Sequence, residues 1–411
     1  MPEGVNNTVI VLIPKKENPS SLKDYRPISL CNVVYKIVSK CLVNRLRPLL
    51  HDLIAPPQSA FIPGRLITDN ATIAFECFHK IQYSKQAANT HCAFKLDLAK
   101  AYDRVDWGFM EEALLKLGFD RKWVDWVMCC VKSVRYSVKY NGELLETFSP
   151  SRGLRQGDPL SPYLFLFVAE GLTCLLDKQI RLGNITPIKI ARGCPGISKL
   201  LFADDCLLFF KVSKQEAERV KQVLIEFQKG SGQLLSYSKC SVLFSEVCPV
   251  EVQQDVKSVL DITASTFESK YLGLPTPEGR MKDSMFQPIM ERFIKRCSDW
   301  SERFMSHAAK EVLIKSVLQA LPTYCMGVFK MTQGFCERYE KLIRDFWWGD
   351  ENGHRKVHWM SWERMIKPKR GGGIGFKDMK LFNQALLARQ AWRLIQRPHT
   401  LVQNRPLVPV R

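Results

Sequence analysis

Two adjacent carboxylates, Asp204 and Asp205, interrupt a run of apolar residues that extends from position 200 to position 210. Short apolar segments bounded by turn-forming residues are typical of strands that are covered on both faces, and aspartate is common in turns. The pattern therefore predicts a buried hairpin with an acidic tip. Neighbouring carboxylates would lose hydration and repel each other there, so we expect a hard cation such as Mg²⁺ beside them. An ordinary surface turn is the alternative that this stretch alone leaves open.

A third carboxylate, Asp97, follows the apolar residues Phe94 and Leu96 near the end of another predicted strand. Three carboxylates on two strands could hold two divalent ions roughly 3.5–4 Å apart, an arrangement that binds the attacking and the leaving oxygen of an in-line displacement. Such ions lower the pKa of a nucleic-acid 3′ hydroxyl and neutralise a triphosphate. The sequence therefore predicts metal-dependent phosphoryl transfer at Asp97, Asp204 and Asp205.

Three sequence blocks occur in a fixed order along the chain. They read KLDLAKAYD at residues 95–103, GLRQGDPLSP at residues 153–162 and FADD at residues 202–205. In these blocks and their order the chain resembles the reverse transcriptases of non-LTR (LINE-type) retrotransposons, most closely those of plants, over roughly residues 8–395. The resemblance implies an α+β fold, the right-hand polymerase, with fingers, a palm built on a split βαβ (ferredoxin-like) sheet, and a helical thumb.

The resemblance also implies a division of the chain. Residues 1–90 are expected to form the fingers, 91–275 the palm with interleaved finger elements, 276–396 the helical thumb and C-terminal connection, and 397–411 an irregular tail. Basic, aromatic-containing helices in the thumb are predicted at residues 293–304, 307–320, 335–348 and 379–395. Because the chain starts almost at the fingers and its tail departs from the family pattern, we expect a truncated or degenerate copy that lacks the endonuclease of full-length elements.

The chain carries a formal net charge of +19, from 60 Lys and Arg against 41 Asp and Glu. Its basic residues are spread along the whole chain rather than gathered beside an apolar anchor, and no apolar run is long enough to span a bilayer. These features favour a nucleic acid over a membrane as the polyanionic partner, with a solvated basic surface as the alternative. Fourteen cysteines without a Cys-x-x-Cys pair give little support for zinc.

Five residues are expected to contact the incoming nucleotide: Lys15, Arg26, Tyr102, Gln156 and Gly157. Lys15 and Arg26 are cations of a predicted hairpin and suit triphosphate oxygens. The resemblance implies that Tyr102 packs under the nucleotide sugar and crowds a ribose 2′ hydroxyl, and that Gln156 and Gly157 place the template base and the nucleotide. Taken without the family, the same residues also fit a solvated basic loop, a core tyrosine and a plain strand-to-helix turn.

Further roles are implied downstream. Lys239 is the best match to a family lysine that protonates the leaving pyrophosphate, with a structural ion pair as the alternative. Tyr271, Leu272 and Gly273 lie in a turn similar to the family's primer grip, which supports the primer 3′ end.

Local patterns predict several further elements. A helix over residues 69–83 should begin with Asp69 or Asn70 as its N-cap, and Arg65, just before it, is interpreted as a contact for template phosphates. Other helices are predicted at residues 32–47, 160–176 and 213–229, and a hairpin turn at Asn141-Gly142.

These features together predict an RNA-directed DNA polymerase that adds dNTPs to a primer 3′ hydroxyl by two-metal catalysis. Two Mg²⁺ ions are the expected cofactors, with Mn²⁺ as the alternative. The expected partners are an RNA template, a DNA primer and dNTPs, without a membrane, and the family's life cycle implies a nuclear location. Two other functions stay open: a maturase-like reverse transcriptase of a group II intron, and a catalytically inactive, transposon-derived remnant that binds nucleic acid.

Overall fold

A computed structural model describes residues 1–83, 90–191, 193–277, 282–298, 305–351, 354–355 and 357–396. The chain divides into two compact units, Met1–Phe267 and Glu268–Arg411, and each is described by itself. The division into fingers, palm and thumb stays a prediction, and the predicted tail at residues 397–411 lies outside the described residues.

The first unit combines strands and helices. Its strands are β1 (Asn7–Pro14), β2 (Tyr25–Cys31), β3 (His91–Leu96), β4 (Arg135–Tyr140), β5 (Glu143–Leu144), β6 (Lys199–Phe202), β7 (Asp205–Lys211) and β8 (Ser241–Leu243). Its helices are α1 (Val33–Leu46), α2 (Leu50–Leu53), α3 (Ile67–Gln82), α4 (Trp107–Lys116), α5 (Arg121–Lys132), α6 (Ser161–Arg181), α7 (Lys214–Ser231) and α8 (Val250–Val259).

One sheet of this unit has the strand order β2-β1-β4-β5. The β1 strand pairs antiparallel with β2 and parallel with β4, so the N-terminal hairpin is joined to a strand more than 100 residues later in the chain. The turn between β4 and β5 is formed by Asn141 and Gly142, both with positive φ. A two-residue turn of this kind needs positive φ at both positions, and the predicted hairpin is confirmed.

The other four-stranded sheet has the order β6-β7-β3-β8, and its neighbouring strands are antiparallel. In the chain, helices separate β3 from β6 and a single helix, α7, separates β7 from β8. This is the split βαβ arrangement, so the predicted α+β class and ferredoxin-like sheet are confirmed. Residues 92–96 of β3 and 206–210 of β7 are buried, as their mainly apolar sequences indicate, although Lys95 of β3 is buried among them.

The predicted helix at residues 213–229 is confirmed as α7. The Ser213 side chain accepts a hydrogen bond from the Glu216 N–H at its start, and Gly232 ends it with a φ of 75°. The apolar residues of α7, among them Ala217, Val220 and Phe227, are buried. The helix predicted at 160–176 is likewise present, as α6.

The first helix starts where predicted, with Asn32 as its N-cap, but only some of its apolar residues are buried. Val33 and Ile37 are exposed, whereas Val43 and Leu46 are buried. Tyr35 is also buried, where it takes part in a polar network.

The start of α3 also differs from the prediction. This helix begins at Ile67 after Leu66, which makes no capping hydrogen bond with its side chain, so neither Asp69 nor Asn70 is the N-cap. The Asn70 amide instead donates to the carbonyl of Leu201 and accepts from Ser59 Oγ, at 2.6 and 2.8 Å. The Asn70 side chain, which the local sequence pattern suggests as an N-cap, therefore forms a hydrogen bond with a residue far away in the chain.

A buried ion pair joins several segments of the first unit. Asp158 Oδ2 accepts hydrogen bonds from Arg155 Nη2 at 3.1 Å and from the Tyr35 hydroxyl at 2.7 Å, and Asp158 Oδ1 accepts from the Leu160 N–H at 3.0 Å. The Arg155 guanidinium lies 3.9 Å from the centroid of the Tyr35 ring and also donates to Asn6 Oδ1. Strand β1, helix α1 and the loop before α6 are thereby fastened together.

The second unit is mainly helical. Its elements are the strands β9 (Lys270–Tyr271), β10 (Leu274–Pro275), β11 (Asp350–Glu351) and β12 (His354–Arg355) and the helices α9 (Gln287–Ser298), α10 (His307–Ser316), α11 (Thr323–Met326), α12 (Gln333–Trp348), α13 (Trp362–Met365) and α14 (Met379–Gln396). One face of α12, with Phe335, Tyr339 and Ile343, is buried.

Most helices predicted in this unit are confirmed. Those at residues 335–348 and 379–395 correspond to α12 and α14, while the one at 307–320 ends earlier, at Ser316, before a short 3₁₀ turn. The prediction at 293–304 agrees with α9 up to Ser298, and residues 299–304 lie outside the described residues. No helix in the described part of the chain is long and apolar enough to cross a membrane.

Candidate active site

The acidic hairpin is formed by β6 and β7, which pair Phe202 with Asp205. The two residues between them, Ala203 and Asp204, make the turn, and Ala203 has a φ of 54°, a left-handed conformation that is uncommon for alanine. Asp204 is exposed at the turn, whereas Asp205 is partly buried at the start of β7. The prediction of a hairpin with an acidic tip is confirmed.

The third carboxylate reaches the same end of the sheet. Asp97 directly follows β3, whose last residue, Leu96, pairs with Cys206 of β7. Continuing this antiparallel register by one residue places Asp97 opposite Asp205. The fold therefore groups the predicted carboxylates, and oxygen ligands of this kind fit Mg²⁺ or Mn²⁺. Among the described residues, however, no three His, Cys, Asp or Glu side chains are arranged as a ready metal-binding cluster.

Lys239 lies beside this carboxylate end. The segment before β8 runs along the residues that follow β3, with the Ser236 N–H donating to the Asp97 carbonyl at 2.8 Å. Lys239 Nζ is 3.8 Å from Asp97 Oδ1, and 70% of the Lys239 side chain is exposed. An exposed ammonium at this distance can both neutralise the carboxylate and reach a phosphate in solvent, so the ion pair and the proton-donor interpretation are both compatible with the geometry.

Tyr102 connects the loop after Asp97 with helix α6. Its ring stacks on Phe165 with the centroids 4.9 Å apart and the planes 12° apart. Burial, and then the negative charge of Asp204, raise the pKa of the Tyr102 hydroxyl well above its ordinary value. The side chain is therefore a neutral aromatic group that is held by its stack on Phe165.

Gln156 and Gly157 are held against strand β2. The Ser29 N–H donates to the Gln156 carbonyl at 2.7 Å, and the Gln156 side-chain amide donates to Asp103 Oδ1 at 3.3 Å. Gly157 has a φ of 112°, and a Cβ atom there would lie 2.8 Å from the Ser29 carbonyl oxygen. Only glycine permits this approach.

Asp103 is a further carboxylate close to the site. It accepts the hydrogen bond from Gln156 and is partly buried, and burial raises the pKa of its carboxyl. The positive charges of Lys100 and Lys15 act in the opposite direction on that pKa. Asp103 belongs to the same sequence block as Asp97. The neighbouring residues do not show whether its carboxylate forms a hydrogen bond with a glutamine or binds a metal ion.

The predicted triphosphate contacts lie on the first hairpin. Arg26 is an exposed residue of β2 and pairs with Ile13 of β1. Lys15 follows β1 directly, and its Nζ donates to the Lys23 carbonyl at 2.8 Å. Strand β2 thus carries both Arg26 and Ser29, the residue that holds the Gln156 backbone.

The predicted primer-grip residues form a tight hairpin in the second unit. Strands β9 and β10 pair, with Leu272 and Gly273 in the turn at φ values of 49° and 78°. Tyr271 is buried, and the Leu272 carbonyl accepts a hydrogen bond from the Tyr324 hydroxyl at 3.0 Å. The turn expected from the sequence is confirmed, while its role with a primer stays a prediction.

Arg65 does not have the geometry predicted for a template contact. Its guanidinium donates to four backbone carbonyls within 3.1 Å, those of His51, Ile54, Ala55 and Gln58. These bonds occupy the donors that a phosphate would need, and the interpretation as a template contact is wrong. Arg65 instead fastens the segment between α2 and α3.

Gln58 is a site residue that sequence reasoning missed. The segment around it runs parallel to β6, with a bridge between Gln58 and Leu201. The buried Gln58 Oε1 accepts hydrogen bonds from the N–H groups of Ala60 and Ala203, both at 3.0 Å. The acidic turn is therefore held by a side chain that lies almost 150 residues earlier in the chain.

A family model and curated proteins match the chain in sequence. Residues 13–276 match the model of the family described as "Reverse transcriptase (RNA-dependent DNA polymerase)". The transposon TX1 uncharacterized 149 kDa protein of Xenopus laevis is 26% identical over 378 residues, which cover 91% of this chain and 28% of that protein. The Pol polyprotein of the type-2 retrotransposable element R2DM of Drosophila melanogaster is 27% identical and covers 98% and 37%, respectively.

Among solved structures, a telomerase from Candida tropicalis in complex with a fragment of telomeric RNA covers 97% of this chain and 63% of its own, at 13% identity and a TM-score of 0.43. The chain spans about a third of the length of the two curated relatives. Because the family model matches well over half of the chain, the chain belongs to the reverse transcriptase family of RNA-dependent DNA polymerases.

Proposed function

We propose that this chain is the polymerase domain of a non-LTR retrotransposon and adds dNTPs to a DNA primer on an RNA template. The observation that carries the proposal is the sheet register that brings Asp97, Asp204 and Asp205 to one end of the β6-β7-β3-β8 sheet. Membership of the reverse transcriptase family supports it. The likeness of its sequence blocks to plant LINE copies underlies the further proposal of a plant source.

In the proposed reaction, the primer 3′ oxygen forms a bond to the α-phosphorus of the dNTP while the bond from that phosphorus to the pyrophosphate oxygen breaks. Two Mg²⁺ ions, held by Asp97 and Asp204 with help from Asp205, would acidify the 3′ hydroxyl and offset the phosphate charge. Lys239 donates a proton to the departing pyrophosphate; its ammonium lies 3.8 Å from Asp97 and is exposed to solvent.

The nucleotide is bound by groups from two sides of the site. Arg26 and Lys15 on the first hairpin neutralise the triphosphate. Tyr102, fixed by its stack on Phe165, supports the sugar and crowds a 2′ hydroxyl. Gln156 holds the template base and the nucleotide in register, with Gly157 allowing the backbone to approach.

The turn at Tyr271, Leu272 and Gly273 supports the primer 3′ end in this proposal. An excess of basic residues, 60 Lys and Arg against 41 Asp and Glu, supports binding of a template and a primer. A nuclear location belongs to the proposal only because retrotransposons of this kind integrate into chromosomal DNA.

Primer extension tests this function. On a poly(A) template with an oligo(dT) primer, thymidine triphosphate and Mg²⁺, the parent should extend the primer, and Asp204→Asn should abolish extension while retaining salt-sensitive binding. Asp52→Asn is the matched control, because it makes the same change at an exposed aspartate on α2. Extension by Asp204→Asn at the parent's rate would refute the site assignment. Binding without extension by the parent would favour the inactive, nucleic-acid-binding remnant.

A further inference from the structure

One face of α1 is apolar and is not covered by the described residues. Its first two turns carry four branched apolar side chains that are between 41% and 70% exposed: Val33, Val34, Ile37 and Val38. Valine and isoleucine are poorer helix formers than alanine, because a branched side chain loses rotamer freedom against the preceding turn. Neither helix propensity nor packing within the described chain therefore explains these residues.

The apolar residues of α1 form a ridge with a groove beside it. Residues four apart on a helix lie in rows, and Val33, Ile37 and Cys41 make one such row. A groove of about 320 Å³ runs along it and is bordered on its far side by Lys36 and Lys40. Packed helices insert the ridges of one into the grooves of the other. The surface of α1 therefore has the alternating ridges and grooves of a helix–helix interface.

A second groove lies between α1 and α5. It has a volume of about 450 Å³, and Ile37 and Val38 of α1 line it together with Trp126 of α5, which is 45% exposed. Ligand clefts begin at about 300 Å³, so this groove can receive apolar side chains of a partner. We name the exposed apolar residues around the two grooves the α1 surface; they are Val33, Val34, Ile37, Val38 and Trp126.

The charged side chains that border the α1 surface are cations. Lys36 and Lys40 line the first groove and Arg45 the second, and among the described residues no carboxylate lines either groove. All three side chains are exposed, and none has a hydrogen-bond or ion-pair partner in the described part of the chain. Lys122 Nζ adds a further positive charge, 5.7 Å from the centroid of the Trp126 ring. A partner with carboxylates beside its apolar residues is therefore complementary in charge as well as in shape.

The charge also separates the candidate partners. A second copy bound through the same surface would bring Lys36, Lys40 and Arg45 close to their own counterparts, and the like charges would oppose that contact. A nucleic acid would pair with the cations, but its hydrated phosphates would leave the apolar grooves unfilled. An amphipathic helix presents apolar residues at i, i+3 or i+4 and i+7, which fit a surface that is built from rows four residues apart.

We propose that the α1 surface binds an amphipathic helix of another protein that carries Asp or Glu beside its apolar face. Apolar residues of that helix fill the grooves on the two sides of Ile37, and its carboxylates pair with Lys36, Lys40 and Arg45. The row from Val33 to Cys41 rises about 12 Å along α1, so about two to three turns of a partner helix cover it. The α1 surface shares no residue with the proposed catalytic site, and this binding goes beyond the polymerase function.

Selection from a displayed library of helical peptides, about 16 residues long, tests the proposal with the full chain as bait. Enriched peptides should carry apolar residues at i, i+3 or i+4 and i+7, with Asp or Glu beside them. In fluorescence anisotropy, Ile37→Asn should weaken binding of an enriched peptide about 5- to 30-fold, the effect of losing one apolar anchor. Lys40→Glu should weaken it about 3- to 10-fold, and by more at about 50 mM than at about 500 mM salt.

Two matched variants control for general effects. Ile294→Asn makes the same change at an isoleucine of α9 that is 53% exposed, and Lys229→Glu reverses an exposed cation of α7. Both should bind the peptide like the parent. Because Ile37 and Lys40 are exposed, their variants should retain the parent's melting temperature. If Ile37→Asn were destabilised, Lys40→Glu would still decide the question, because it removes no apolar contact.

Several results would overturn the proposal. A selection without enriched peptides, or peptides that bind parent and Ile37→Asn equally, would exclude a helix site on α1. Enrichment of basic or neutral peptides would contradict the charge argument.

Other results would assign the α1 surface to a different partner and overturn the proposal as well. Weaker binding of a primer–template by both Ile37→Asn and Lys40→Glu would assign it to a nucleic acid, and weaker binding of phosphatidylserine vesicles would assign it to a membrane. Loss of a concentration-dependent dimer in sedimentation would assign it to a second copy. The peptide measurements need neither primer nor dNTP, so failure of primer extension leaves them interpretable.

Discussion

Replacing Asp158 by asparagine should destabilise the first unit strongly. The carboxylate is 4% exposed and accepts hydrogen bonds from Arg155, the Tyr35 hydroxyl and the Leu160 N–H. Asparagine keeps the shape but removes the charge that compensates a guanidinium which is itself only 3% exposed. Removing one partner of a buried ion pair costs about 3–5 kcal/mol, because the other charge stays buried without compensation.

The loss is measurable by thermal and urea unfolding, followed by circular dichroism. For a unit of this size, a loss of 1 kcal/mol lowers the melting temperature by about 2–4 °C. The melting temperature of the first unit should therefore fall by about 6–20 °C. Asp125→Asn is the control, because Asp125 forms an exposed ion pair with Arg121 at 2.9 Å and should lose less than about 1 kcal/mol.

A double variant sharpens the reasoning. Arg155→Met combined with Asp158→Leu should unfold at a higher temperature than Asp158→Asn alone, because no uncompensated charge remains buried. A loss below about 1 kcal/mol for Asp158→Asn would show that the pair contributes no more than a surface pair. Equal losses for the single and the double variant would show that packing, rather than charge, sets the cost.

Three other changes have defined outcomes. Gly157→Ala should lower extension and stability together, because its Cβ would collide with the Ser29 carbonyl; unchanged unfolding would contradict the close approach. Tyr102→Ala should reduce the ratio of kcat/KM for deoxynucleotides over ribonucleotides, since the ring stacked on Phe165 would no longer crowd the 2′ hydroxyl; an unchanged ratio would refute that role. Burial raises the pKa of the Glu76 carboxyl, so its ionisation opposes folding once the pH exceeds the unfolded-state value. Glu76→Gln should therefore stabilise the protein at pH 7 but not below about pH 4, as judged by urea unfolding at both pH values.

The elements that the sequence predicts well are those that local patterns specify. The acidic hairpin follows from two apolar runs around Asp204 and Asp205, and the hairpin at Asn141 and Gly142 follows from turn chemistry. The split βαβ order follows from the family blocks rather than from any strand pattern, because pairing between distant strands leaves no local signal.

The residues that were missed or misassigned form hydrogen bonds with backbone groups of other segments. Gln58 holds the turn at Ala203, and Arg65 binds four carbonyls of one loop. The sequence around a polar residue does not show whether its side chain forms a hydrogen bond with a ligand or with a backbone carbonyl of another segment. The hydrogen bond from the Tyr35 hydroxyl to Asp158 likewise joins residues that are far apart in the chain, and no local pattern indicates it.

The position of β3 has a consequence for synthesis of the protein on the ribosome. Its partners in the sheet, β7 and β8, are both encoded later, and β7 ends at Lys211, more than 100 residues after Leu96. At about 5–20 residues per second, the ribosome needs roughly 5–25 s to complete β7 after β3 has been made. During this interval a strand whose residues 92–96 are buried in the folded protein has neither neighbour. Until the acidic hairpin has been made, the nascent β3 strand can be covered only by other groups, such as chaperones or the N-terminal helices.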